Sequence, residues 1–148
     1  MPSDAIRKFI KEREGCRLKA YLPTPKDRWT IGYGSTFKLD GTPIKEGDTI
    51  TQQEADELFE LSLTPYAIMV SGLCPDNCTQ QQFDAVLSLC YNVGVYQFEY
   101  STTGKMFSSA MDISDRFKLW DKQKGKTLPG LTKRRLAEQR IYKEGVYS

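Results

Sequence analysis

The spacing of hydrophobic and polar positions predicts a mainly helical chain. Ser3 is predicted to be the N-cap of a first helix, in which Ile6, Phe9 and Ile10 follow with helical spacing. Gly15 ends this helix directly after Glu14. The same periodicity predicts five further helices, at about residues 51–70, 79–92, 102–110, 114–120 and 131–143. Most of the chain is therefore expected to be helical.

Capping signals sharpen these boundaries. Thr51 with Glu54 and Thr79 with Gln82 form capping boxes, in which each side chain satisfies a free amide of the other residue. Pro65 lies inside the second helix and is expected to kink or split it, because proline removes a backbone donor.

At the other end of the third helix, Gly94 is predicted to be a left-handed cap. Residues 98–101 are predicted to be a loop, and Asp112 is expected to cap the helix at 114–120. Residues 125–130 are predicted to be a turn-rich connection.

Residues 20–43 predict a small antiparallel sheet. Thr30, Ile31 and Tyr33 favour a strand, and Asp40-Gly41 is a hairpin turn signal. The helices and this sheet together indicate an α+β protein in which helix predominates.

Length, charge and composition indicate a single-domain protein that does not resemble a nucleic-acid-binding or membrane protein. At 148 residues the chain is predicted to be one domain, and its net charge of +2 does not indicate nucleic-acid binding. No apolar run is long enough for a membrane span, and the N-terminus lacks the features of a signal peptide, so a cytoplasmic location is expected.

Four cysteines leave three alternatives open. The spacing of Cys74 and Cys78 is compatible with a metal site or a local disulfide, but the chain has no histidine. Reduced thiols at these two positions, and at Cys16 and Cys90, are favoured. No metal or cofactor is expected.

Three residues near the start of the chain suggest a chemistry. Glu14 ends a helix, and the hairpin that follows carries Asp27 and Thr30. Two carboxyl groups and a hydroxyl can hydrolyse a glycoside, because one acid protonates the leaving oxygen while the other groups handle water. Each residue also has a structural interpretation: an exposed helix-end glutamate, a turn aspartate, and an ordinary strand threonine.

Three separated segments resemble one family. Glu-Gly-x-Arg-Leu-x-Ala-Tyr with Trp-Thr-Ile-Gly-Tyr-Gly (14–34), Phe-Asp-Ala-x-x-Ser-x-x-Tyr-Asn-Val-Gly (83–94) and Leu-Pro-Gly-Leu-x-x-Arg-Arg-x-Ala-Glu (128–138) are similar to motifs of the phage-type lysozymes and endolysins, glycoside hydrolase family 24. The resemblance covers nearly the whole chain. It implies a lysozyme-like fold with a three-stranded β lobe at about 15–50. A helical lobe at about 51–148, together with the N-terminal helix, would lie across a cleft from it.

The resemblance also implies an activity. The family's enzymes are muramidases that cut the β-1,4 bond between N-acetylmuramic acid and N-acetylglucosamine with inversion, and Glu14 and Thr30 match the catalytic positions. The usual catalytic Asp position holds Pro23, so its role is assigned to Asp27.

The same resemblance suggests where the substrate binds. Tyr33, Asn92, Gly94 and Arg134 are the candidate contacts. Asn92 is equally compatible with an ordinary helix residue, and the basic cluster around Arg134 with a solvated face, although Arg134 is also a candidate to reach Glu14. The implied partner is peptidoglycan, approached by a monomer without nucleic-acid or stable membrane binding. The enzyme would be released from the host cytoplasm to the periplasm and cell wall by a separate holin.

Two alternatives of other kinds stay open on sequence alone. A lytic transglycosylase needs only one acid, and Pro23 at the usual Asp position keeps this alternative open. A glycan-binding or scaffolding module would not cut at all, but the presence of Glu14 and Thr30 argues against it.

Overall fold

The computed structural model describes all residues from 1 to 148, which form two compact units. The first consists of residues 10–65, and the second of residues 1–9 with 66–148. Six α-helices account for most of the regular secondary structure: α1 (Asp4–Glu14), α2 (Gln52–Leu73), α3 (Gln80–Val93), α4 (Val95–Glu99), α5 (Thr102–Ser108) and α6 (Pro129–Glu144). The mainly helical α+β class is confirmed.

The unit of residues 10–65 contains the predicted antiparallel sheet. Strand β1 (Arg17–Tyr21) pairs with β2 (Thr30–Gly32) through an irregular register that sets Tyr21 opposite Thr30. Single bridges between Lys19 and Thr49, and between Phe37 and Pro43, extend the pairing beyond these two strands. The sheet of this unit therefore has two strands and isolated bridges, where three strands were predicted.

The core of this unit joins the sheet to the start of α2. Ala20, Ile31, Ile44 and Leu58 form one buried cluster, against which Trp29 and Ile50 pack. Because Leu58 belongs to α2, the unit reaches residue 65, whereas the small lobe was predicted at about 15–50.

Helix α2 continues through Pro65, so the predicted split is wrong. The capping box at its start is confirmed: Glu54 N donates to Thr51 Oγ1, and Thr51 N donates to Glu54 Oε1, both over 3.1 Å. Proline removes a single hydrogen bond from a helix of 22 residues. Leu63 and Ala67 are fully buried on either side of it, and their burial favours the helical backbone through this segment.

Helix α3 is the most deeply buried element of the second unit. Its capping box of Thr79 and Gln82 is confirmed. Gly94 ends it with φ 100° and ψ 137°, which is not the predicted left-handed cap. The reason is that α4 begins at the next residue, so Gly94 caps both helices and its extended ψ redirects the chain. Phe98, predicted in a loop, is therefore helical.

The remaining elements complete this unit. A 3₁₀ helix (Ser114–Trp120) follows Asp112, whose carboxylate accepts from Ser114 N over 2.9 Å. The connection predicted to be turn-rich contains a short hairpin of β3 (Lys122–Gln123) and β4 (Lys126–Thr127). In α5, Gly104 packs so closely that a Cβ would overlap the carbonyl oxygen of Phe98.

Buried Asp84 holds both ends of the chain against α3. Its carboxylate accepts hydrogen bonds from Ser3 Oγ (2.5 Å), Gln80 Nε2 (2.8 Å) and Tyr147 OH (2.7 Å). Burial, and then the hydrogen bond to Asp84 and the charge of that carboxylate, raise the pKa of Tyr147 to about 12.

This shift predicts a loss of stability in alkali. Tyr147 stays neutral in the folded protein while its unfolded form ionises near pH 10, so its contribution is complete below about pH 10 and is lost as the pH rises towards 12. We expect the stability difference between wild type and Tyr147→Phe, measured by urea unfolding, to be constant from pH 7 to 9.5 and to shrink above that. A difference that stays constant up to pH 11.5 would contradict the shift.

Candidate active site

Glu14 is the last residue of α1, and its side chain is exposed. The helix stops there because Gly15 adopts φ +71°, while its N–H still donates to the carbonyl of Lys11 over 3.0 Å. Strand β1 then begins at Arg17. The carboxyl group of Glu14 therefore lies at the protein surface.

Thr30 is the first residue of β2 and is buried, with only 6% of its surface exposed. Its hydroxyl donates to the carbonyl oxygen of Arg28 over 3.0 Å. Because the hydroxyl proton is used in this way, the lone pairs of Oγ1 stay available to accept a hydrogen bond from water.

Asp27 lies in an exposed turn. Its N–H donates to the carbonyl of Thr24 over 3.0 Å, and Thr24 Oγ1 donates to Asp27 Oδ2 over 2.8 Å. The local bonding expected of a turn aspartate is thus present. A carboxylate offers about four acceptor positions, so these bonds leave it able to accept a proton or a hydrogen bond from water.

Asp27 and Thr30 line the same open pocket, which has a volume of about 570 Å³. The other lining residues come from the end of β1, the β1–β2 connection and the segment after β2: Tyr21, Pro23, Lys26, Arg28, Gly34 and Thr36. Pro23 therefore faces the same space as Asp27. Glu14 is not part of this lining.

The hydroxyl of Tyr33 is held within a polar network. It accepts from Gln52 Nε2 over 3.1 Å and donates to Asp56 Oδ1 over 3.4 Å, and Lys11 Nζ lies 3.1 Å from the same oxygen. Burial raises the pKa of Tyr33, so the hydroxyl is a neutral donor. Its role in substrate binding stays a prediction.

Sequence reasoning missed the other three members of this network. Gln52 and Asp56 are separated by four residues on α2, and Lys11 precedes Glu14 by three residues on α1. Helical spacing of this kind places side chains on neighbouring positions of one face. It was the only available signal, because the contact between the two helices joins residues 45 positions apart.

The other candidate binding residues lie in the second unit. Asn92 is exposed near the end of α3, and Gly94 follows that helix. Arg134 is buried, with Nε 3.2 Å from Glu138 Oε2 and Nη2 donating to the carbonyl of Ser88 over 3.3 Å. Contact of these residues with substrate, and of Arg134 with Glu14, stays a prediction.

The alternative interpretation of the basic cluster as a solvated face is wrong for two of its members. Arg134 is 8% exposed and Arg135 is fully buried. Both point to Glu138, whose burial between α3 and α6 could not be inferred from charge alone.

Comparison with known proteins identifies the family. The phage lysozyme family profile matches residues 11–138, a range that includes Glu14, Asp27 and Thr30. The endolysin of Acyrthosiphon pisum secondary endosymbiont phage 1 is 37% identical over 140 residues, which cover 90% of this chain and 92% of that relative. The chain belongs to the phage lysozyme family.

Solved structures of this lysozyme's relatives agree with the fold. The endolysin of Escherichia coli phage FAHEc1 superposes with a TM-score of 0.88 at 31% identity, covering 100% of this chain and 96% of the other. The muramidase domain of SpmX from Asticaccaulis excentricus gives 0.81 at 30% identity, covering 96% and 97%.

The predicted family and enzyme class are confirmed by these matches. The chain is a lysozyme of the endolysin type, a glycoside hydrolase, and the lytic transglycosylase alternative is not favoured. None of its helices combines the length and the apolar character needed to cross a membrane.

Proposed function

We propose that this lysozyme lyses the bacterial host by hydrolysing the β-1,4 bond between N-acetylmuramic acid and N-acetylglucosamine in peptidoglycan. Membership of the phage lysozyme family and similarity to a muramidase domain support this substrate. The net charge of +2 suits the approach to an anionic wall polymer.

Glu14 is the proposed general acid. Its exposed carboxyl group can approach the glycosidic oxygen of a polymeric substrate, which a buried acid could not do. As the bond between the anomeric carbon and this oxygen breaks, Glu14 donates its proton and the shorter glycan leaves as an alcohol.

Asp27 and Thr30 are proposed to bind the attacking water, and Asp27 to accept its proton. The observation that carries this assignment is their shared open pocket, where Thr30 Oγ1 has lone pairs that can accept from water. Water would attack the anomeric carbon from the face opposite the leaving group, and its proton would pass to Asp27. This single displacement inverts the anomeric carbon, which nuclear magnetic resonance of the first product can detect.

The inverting mechanism requires room for that water. Carboxyl groups in inverting enzymes are about 6.5–9.5 Å apart, whereas retaining pairs are only about 5–5.5 Å apart. We therefore expect Glu14 and Asp27 to be separated by the larger distance in a complex with a glycan.

Replacement of Asp27 tests this assignment. Asp27→Asn keeps the size and most hydrogen bonds of the side chain but removes its basicity. We expect clearing of bacteria with exposed peptidoglycan to slow by roughly 10²–10⁴-fold, the usual contribution of acid–base groups. The thermal unfolding midpoint should change little, because the residue is exposed.

Asp40 provides a matched control for this variant. Its Oδ1 accepts from Thr42 N (2.9 Å) and Thr42 Oγ1 (2.6 Å), so it is an exposed turn aspartate outside the pocket. Asp40→Asn is expected to retain near-wild-type lysis. If Asp27→Asn also does so, Asp27 is not the base and Thr30 with backbone groups must hold the water.

The proposed route to the substrate is release by a separate holin. We further propose that the enzyme acts as a monomeric single domain. Cytoplasmic expression should leave cells intact until a holin is co-expressed. Lysis by the enzyme alone would contradict this route.

A further inference from the structure

One carboxylate oxygen lies within hydrogen-bonding distance of donor groups from three separate segments of the chain. Asp56 Oδ1 lies 3.1 Å from Lys11 Nζ, accepts from Gln52 Nε2 over 3.1 Å, and accepts from Tyr33 OH over 3.4 Å. We call these four residues the Asp56 network. Gln52 Nε2 also donates to Tyr33 OH over 3.1 Å, so the network is closed on itself.

The network joins the two segments that carry the proposed chemistry. Lys11 lies three residues before Glu14 on α1, and Tyr33 lies three residues after Thr30. Asp56, near the start of α2, binds both of them. A shift of its carboxylate would therefore change the placement of the acid relative to the water-binding hydroxyl.

Two kinds of contact reinforce this connection. The ammonium group of Lys11 lies 5.5 Å from the ring centroid of Tyr33 and 5.2 Å from that of Phe59, and these two rings meet edge to face at 5.5 Å. On the other side of Glu14, Cys16 Sγ lies 4.0 Å from Gln52 Oε1. The segment that bears Glu14 thus contacts α2 both before and after the acid.

The ion pair of Lys11 and Asp56 is too exposed to contribute much to the folding stability of the protein. The side chains of Lys11 and Asp56 are 26% and 45% exposed, and ion pairs at such positions contribute little to folding stability. Closely spaced contacts can nevertheless fix geometry, and a displacement of about 1 Å can cost a reaction roughly 10²-fold.

We propose that Asp56 is a positioning residue that sets the placement of Glu14 relative to Thr30 through Lys11 and Tyr33. The inference rests on the proposed roles of Glu14 and Thr30. Burial raises the pKa of Asp56, but hydrogen bonds from Lys11 and Gln52 outweigh it, so the net pKa is lowered and the network keeps its charge at neutral pH.

Steady-state kinetics on peptidoglycan fragments of defined length test this role. We expect Asp56→Ala to lower kcat by roughly tenfold, consistent with a sub-ångström displacement, and to leave KM within about twofold of wild type. Lys11→Met should give a similar kcat defect. The double variant should be no worse than the more impaired single variant, because both break the same connection. Asp56→Asn, which keeps an acceptor oxygen, should recover part of the rate.

Matched controls lie beside each residue on the same helices. Lys8→Met removes an exposed charge from α1, and Glu57→Gln removes one from α2 next to Asp56. Both should retain wild-type kcat. Thermal unfolding of every variant separates a loss of geometry from a loss of folded protein. If Asp56→Ala does not fold, Lys11→Met with its own unfolding curve decides the question.

Three results would overturn the positioning role: unchanged kcat in Asp56→Ala and Lys11→Met, a rise confined to KM, or defects that multiply in the double variant. The proposed function can fail separately. If Glu14→Gln is inactive while Asp56→Ala and Lys11→Met have wild-type kcat, only the positioning inference is wrong. If Glu14→Gln retains activity, the proposed acid is wrong whatever the network does.

Discussion

Glu14→Gln is expected to lower the rate of cell-wall lysis by roughly 10²–10⁴-fold while the protein stays folded. Glutamine has nearly the size of glutamate and can still form hydrogen bonds, but it has no proton to give to the leaving oxygen. The exposed end of α1 tolerates the change, so the far-ultraviolet circular dichroism spectrum should match that of wild type. Clearing of cells with exposed peptidoglycan measures the loss.

Glu12 is the control for this experiment. It lies on the same helix, and its side chain is 55% exposed beside Arg13. Glu12→Gln removes the same charge two residues away and should leave lysis unchanged. Glu14→Asp retracts the acid by one methylene, so it should retain more activity than Glu14→Gln but less than wild type. Near-wild-type lysis by Glu14→Gln would exclude Glu14 as the general acid.

Features decided within a few residues were the ones that the sequence could predict. Ser3 caps α1 by accepting from Ile6 N over 3.1 Å, and the capping boxes at Thr51 and Thr79 start α2 and α3 as expected. Gly15 ends α1 directly after Glu14. Each of these signals is a hydrogen bond or a backbone preference that acts locally, so a single sequence contains it.

Features that depend on distant residues were predicted poorly. Pro65 was expected to disrupt α2, but burial of Leu63 and Ala67 outweighs one lost hydrogen bond. Gly94 was expected to adopt the left-handed conformation of an ordinary helix end, and the immediate start of α4 imposes another. In the first case tertiary packing overrides the local preference, and in the second the helix that starts at Val95 does so.

The candidate site also combines residues that could be assigned from the sequence with contacts that only the folded chain reveals. Glu14 and Thr30 were assigned from sequence because they match the motif positions of the family that the chain resembles. Asp27 was assigned from an unusual loop, and its shared pocket with Thr30 is a property of the folded chain. The contact of Lys11 with Asp56 crosses from one helix to another, and no periodicity in a single sequence could reveal it.

Glu138→Ala is expected to be the most destabilising single replacement proposed for this protein. Glu138 is fully buried on α6, and its Oε2 accepts from Ser88 Oγ over 2.5 Å, from Arg134 Nε over 3.2 Å and from Arg135 Nη2 over 3.1 Å. Arg135 Nε lies 2.7 Å from Oε1, close enough for an ion pair although neither atom makes a well-aligned hydrogen bond. Burial raises the pKa of Glu138 and lowers that of Arg135, while their mutual attraction opposes both shifts.

Removing this carboxylate leaves positive charge in the interior without its counter-charge. Such a change costs about 3–5 kcal/mol, which corresponds to a fall in Tm of roughly 6–20 °C for a chain of this size. Glu144→Ala is the matched control on the same helix, because Glu144 is 57% exposed and lies 3.9 Å from Arg140. Its cost should stay below about 1 kcal/mol. Differential scanning calorimetry measures both.

A double replacement separates the charge from the packing. Both Glu138→Ala and Glu138→Leu remove the contact of Arg134 with Glu138, so the comparison isolates Arg135. If the uncompensated guanidinium of Arg135 causes the loss, Glu138→Leu combined with Arg135→Met should be more stable than Glu138→Ala. Exchange of a buried ion pair for apolar side chains is often neutral or stabilising, whereas removal of one partner is not. If the two sites instead behave additively, with the double variant less stable than either single one, lost packing is the cause. The cluster would then be a core contact that happens to be charged.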